Sequence, residues 1–100
     1  MRLLLATLLA ALAVPGSRSV LAEEGRAPLQ PGVGEDLTSA NCNACHTSDY
    51  IVMNSRFLTT DAWKAEVTKM RTAFGAPIDD ATAAAIVLYL GQHYAVPAKP

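Results

Sequence analysis

Hydrophobic positions fall at helical spacing in two stretches of the chain. Trp63, Val67, Met70 and Phe74 follow at i, i+4, i+7 and i+11, which places them on one face of a helix. Thr60 offers that helix an N-cap, and Asp61 a first-turn acid suited to the positive end of its dipole. Gly75 ends the pattern and Pro77 forbids its continuation. A further helix is expected behind Asp79 or Asp80 as cap, with Ala83, Ile86, Val87, Leu90 and Tyr94 as apolar positions and Pro97 just past its end. Upstream, Thr38 or Ser39 caps a short helix running into Asn41–His46. Residues 47–60 mix polar and aromatic side chains without a clean period and read as a loop that wraps something. Nothing reads as a strand, and there is no internal repeat. The pattern predicts an all-α fold of about three helices with short connections.

The N-terminus follows a different rule. Arg2 supplies a positive start, Leu3–Val14 is an apolar run too short to span a bilayer, and Ala22 closes a small-residue site with Val20 three positions before cleavage. Residues 1–22 therefore read as a secretory signal peptide cleaved near Ala22, leaving an exported chain with no membrane span. Residues 23–36 carry Pro and Gly without apolar periodicity and read as an extended leader. Residues 37–100 form the one domain that a chain of 100 residues allows.

Charge and size narrow the function. Of eight Lys and Arg, Arg2 and Arg18 leave with the signal peptide, so six face nine acidic residues, a formal net charge of −3. No basic stripe is present, which argues against a nucleic-acid partner. One Trp, two Phe and three Tyr are too few large side chains for a generous core. Domains below roughly 70–80 residues usually need a disulfide, a metal or a partner. Something else should fill the middle.

Cys42-Asn43-Ala44-Cys45-His46 is C-x-x-C-H, the c-type haem attachment sequence. Two Cys three apart share one face of a helical turn, so both sulfurs reach the vinyl groups of one porphyrin edge as thioethers. His46 then projects under the iron as an axial ligand. Three other readings compete less well. A Cys42–Cys45 disulfide would close a tiny loop and stabilise little. A thioredoxin-like redox pair requires a βαβ setting that no strand pattern supports. A zinc site wants four ligands, and only His93 remains to join the motif. A buried macrocycle also fills the core, with on the order of several hundred Å² of apolar surface at about 25 cal/mol per Å².

Three residues compete for the sixth position. Met70 shares the apolar face of Trp63 and Val67. Met53 lies seven residues after His46 in the wrapping loop, within reach of the opposite haem face at roughly 3.3 Å per extended residue. His93 shares a helix side with Ile86, Tyr89 and Leu90, although a His there also suits the negative end of the helix dipole. Plain core packing competes with ligation for Met70. Tyr50, Arg56 and Phe57 in the wrapping loop are candidates for a partner surface or, for the aromatics, for shielding the haem.

Taken together, Cys42–His46, Thr47–Leu58, Trp63, Ala65–Val67, Lys69–Met70, Ala73–Ile78 and Ile86–Leu90 resemble the small cytochrome c subunit of bacterial sulfite dehydrogenase. The resemblance covers about residues 38–94. Its most characteristic parts are Ser48-Asp49-Tyr50-Ile51 and the run from Lys69 to Ile78, whereas C-x-x-C-H and the final helix are common to many class I-like cytochromes. It implies a small class I-like cytochrome c fold around one covalent haem c, with Cys42 and Cys45 as anchors, His46 as proximal ligand and Met70 as distal ligand. It further implies a periplasmic heterodimer with a molybdopterin-containing catalytic subunit that oxidises sulfite, and an external cytochrome c as acceptor. The small chain would hold no catalytic residue of its own. A free-standing periplasmic shuttle is the alternative.

Overall fold

Side-chain oxygens set where the two long helices begin. Thr59 sits in extended backbone and its hydroxyl accepts from the Ala62 N–H at 3.2 Å; Asp79 does the same for the Thr82 N–H at 2.7 Å. Each satisfies a backbone donor that the first turn leaves unpaired. The computed structural model describes residues 27–100, so the expected signal peptide and the first residues of the expected leader lie outside the described part. Among the described residues the chain is all-helical: α1 (Glu35–Cys42), α2 (Asp49–Asn54), α3 (Thr60–Thr72) and α4 (Asp80–His93), with no strand. None of these helices is long and apolar enough to cross a membrane.

The central element is α4, packed against both α3 and α1. Ile86, Tyr89 and Leu90 on its inner face are essentially sealed, and Ala83 and Tyr94 extend the same stripe. Trp63 and Val67 of α3 complete the facing side. The Trp63 indole N–H donates to the Tyr94 carbonyl at 2.8 Å, a buried bond that joins the start of α3 to the end of α4. Beyond α4 the tail continues the tie, with the Val96 N–H donating to the Leu58 carbonyl.

Several expectations are corrected. The first helix begins at Glu35 behind Gly34, not at a Thr38 or Ser39 cap. Gly34 has φ 98°, and a Cβ there would lie 2.9 Å from the Tyr89 Cβ and 3.3 Å from the Ala85 carbonyl. Only glycine permits both the left-handed backbone and so close a crossing of α1 over α4. Thr38 is instead fully buried inside α1.

The wrapping loop contains a fourth helix, α2. Ile51 alone of its apolar residues is buried, while Val52 and Met53 face out. One inward position in under two turns leaves no period to detect. Phe74 lies past the end of α3 and is 68% exposed, so the expected apolar face stops at Met70.

Residues 27–34 hold no helix, yet they are tied down. Leu29 is part of the core. The Gln30 peptide is bracketed by two tyrosines of the α4 end: its N–H donates to the Tyr94 hydroxyl at 2.7 Å, and its carbonyl accepts from the Tyr89 hydroxyl. The Ala27 N–H donates to Asp49 at the start of α2.

Candidate haem site

Helix α1 delivers the motif and then stops. Cys42 is its last residue, and Asn43 to His46 form the turn that follows. A chain of side-chain bonds braces this turn: Asn43 donates to the Ser39 hydroxyl at 3.1 Å and accepts from the buried Ser48 hydroxyl at 3.0 Å. The interior residue of the C-x-x-C motif thus shapes the loop that presents the thiols. Cys45 is exposed and Cys42 half-buried; burial pushes the Cys42 thiol up to about 11.

Two apolar clefts open beside the motif. One, a narrow cleft of about 40 Å³, is lined by both cysteines, His46, Met70, Ile78 and Ile86. The other, about 30 Å³, is lined by Cys42, His46, Tyr50, Trp63 and Met70. Cys42, His46, Val67 and Met70 border both. The structure therefore brings Cys42, Cys45, His46 and Met70 to one place, from α1, the turn after it, and α3.

It leaves the other candidates outside. Met53 is 69% exposed on α2 and borders neither cleft. His93 packs its ring on Tyr89 at 4.8 Å between centroids, and a Cβ added at Gly32 would lie 2.8 Å from its Nε2. Phe57 is 73% exposed and shields neither cleft, and Arg56 is exposed as well. Tyr50 lies on the cleft wall.

The chemistry of the donor set tests whether these residues suit a haem. Imidazole and thioether are both established haem-iron ligands, and thiols are the groups that form thioethers to a haem. His46 Nδ1 is buried and has no hydrogen-bond partner among the described residues. Two thiols, an imidazole and a thioether on apolar walls fit the group. Among the described residues no cluster of three or more His, Cys, Asp or Glu is placed to hold a bare metal ion.

Neither a protein-family profile nor a curated protein matches the chain.

Sequence reasoning missed the network that surrounds His46. The Tyr50 ring lies 5.0 Å from the His46 ring, centroid to centroid, at 47°. The Tyr50 hydroxyl donates to Glu66 Oε2 at 3.0 Å, and Lys69 Nζ reaches Glu66 at 2.8 Å. The Lys69 ammonium holds the Glu66 carboxyl below its usual range. Burial, and then the hydrogen bond to Glu66, raise the Tyr50 phenol. Glu66 and Lys69 at i and i+3 are a helix pair visible in any sequence; their link to Tyr50, sixteen residues earlier, has no local signal.

Proposed function

We propose that the chain is a haem c electron-transfer subunit of a periplasmic complex, taking electrons from a molybdenum-containing sulfite-oxidising subunit and passing them to an external cytochrome c. The observation that carries the haem assignment is the convergence of Cys42, Cys45, His46 and Met70 on the walls of adjoining apolar clefts. Cys42 and Cys45 would anchor the group through thioethers, and His46 and Met70 would ligate its iron. When bound, haem supplies a one-electron iron couple, and a His/Met pair sets it higher than two His ligands would. The protein's own contribution is a rigid, largely apolar seat. Asn43 and Ser48 fix the turn that bears the thiols, and Val67, Ile78 and Ile86 exclude water from the walls. The fold read this way is a small class I-like cytochrome c.

The sulfite-oxidising partner rests on the resemblance. Its two characteristic segments adjoin the site: Tyr50 and Ile51 border one cleft, and Met70, Ala76 and Ile78 border the other. Export and the periplasmic location rest on the signal-peptide pattern of residues 1–22. The substrate-converting chemistry belongs to the partner.

The test is a visible difference spectrum of the natively purified, oxidised protein with its copurifying chains, taken before and after sulfite. Sharp reduced c-type bands on sulfite addition support the assignment. Bands that appear only with a chemical reductant overturn the sulfite complex and leave a free-standing shuttle.

A further inference from the structure

Resting on the haem reading above, we propose that Tyr50, clamped by Glu66 and Lys69, is a positioning residue that fixes the ring plane of His46. His46 lies in the turn between α1 and α2, outside any helix. With Nε2 as the nitrogen that would face the iron, its Nδ1 is the second nitrogen; it has no hydrogen-bond partner among the described residues, so no polar contact there restrains rotation of the ring. An imidazole that ligates a metal is usually oriented by a bond from its second nitrogen. That device is missing here, and an aromatic contact occupies its place.

The Tyr50 ring packs on His46 at 5.0 Å and 47°. Tyr50 is itself held from two sides. Its edge meets the sealed Trp63 ring at 6.5 Å and 77°, an edge-to-face arrangement of the favourable kind. Its hydroxyl is tied to Glu66, whose two oxygens both face Lys69 at 2.8 Å, one turn further along α3. The clamp therefore runs from a surface ammonium through a carboxylate and a phenol to the imidazole ring. Because α3 also carries Met70, the same helix that bears the distal ligand orients the proximal one.

Ring orientation is a measurable property. The plane of an axial imidazole decides how unpaired spin spreads over an oxidised low-spin haem, and hence the pattern of haem methyl resonances. The holo-protein should be compared as wild type, Tyr50→Phe, Glu66→Ala and Glu66→Gln. Tyr50→Phe and Glu66→Ala remove the tie at the solvent edge and should shift the methyl pattern while melting temperature and helical circular dichroism stay at wild-type values. Glu66→Gln keeps an acceptor for the phenol and should restore the wild-type pattern.

A wild-type methyl pattern in both Tyr50→Phe and Glu66→Ala overturns the proposal and leaves the haem reading standing. A wild-type protein without haem resonances overturns both. Tyr50→Leu tests the ring contact separately from the hydroxyl. It removes the contact outright, and an unchanged pattern there also refutes the role.

Discussion

Replacing Trp63 by Phe should cost the domain about 3 kcal/mol, and the sum can be traced to two contacts. Trp63 is 2% exposed, and its indole N–H donates to the Tyr94 carbonyl at 2.8 Å. Phe keeps an aromatic ring but no donor, so that carbonyl is left unpaired inside the protein at roughly 1–3 kcal/mol. The smaller ring also gives up a few tens of Å² of buried apolar surface, adding about 1 kcal/mol at ~25 cal/mol per Å². A domain of this size has only about 5–15 kcal/mol in total, so the change should be conspicuous. Urea unfolding of the purified protein, followed by circular dichroism at the helix band, reads it directly. With a slope near the low end of about 1–3 kcal/mol per M, the midpoint should fall by ~2 M or more at unchanged slope. A loss under about 1 kcal/mol would mean that the Tyr94 carbonyl finds another donor, and the account of how α3 is pinned to α4 would be wrong.

Two further outcomes follow from the backbone and the caps. Gly34→Ala forces a side chain into left-handed backbone 2.9 Å from the Tyr89 Cβ, and should cost roughly 2–4 kcal/mol from strain and overpacking together; a thermal melt within a degree of wild type contradicts the crossing described. Asp79 is held below its usual carboxylate range, chiefly by the Thr82 N–H, so its contribution is present above the unfolded value near ~3.9 and is lost as pH falls through the lower folded value. Asp79→Asn keeps a good cap but no titration, and should leave neutral-pH stability near wild type while flattening the acid limb of a Tm-against-pH profile; an unchanged limb refutes the assignment.

The two long helices were legible because their signals are local. A capping oxygen followed by a 3.6-residue apolar repeat needs no knowledge of the rest of the chain, and α4 starts behind Asp79 as that rule implies. The start of α3 is displaced by one residue because Thr59 and Thr60 are both cap formers, and only the backbone decides between them. The segment before α1 was unreadable for the opposite reason. Leu29 stands alone among Pro, Gly and polar residues, and it is buried because Tyr89 and Tyr94, some sixty residues later, hold Gln30 beside it.

The site divides the same way. Cys42, Cys45 and His46 fall within five residues and form a motif readable from the sequence alone, and the helical register alone puts Met70 beside Trp63 and Val67. The outward turn of Met53 and the clamp from Tyr50 to Glu66 depend on α2, whose single inward residue leaves no period.

The most direct test of the central claim is the intact mass of the exported protein, wild type beside the Cys42→Ala, Cys45→Ala double variant, each after denaturation and acid extraction. The account predicts that the wild-type chain, cut near Ala22, retains the added mass of one haem. It also predicts that the double variant carries none and loses most helical circular dichroism, because the clefts lined by Cys42, His46 and Met70 have lost what fills them. A wild-type chain at its bare polypeptide mass, or a double variant with native-like helical content, would contradict it.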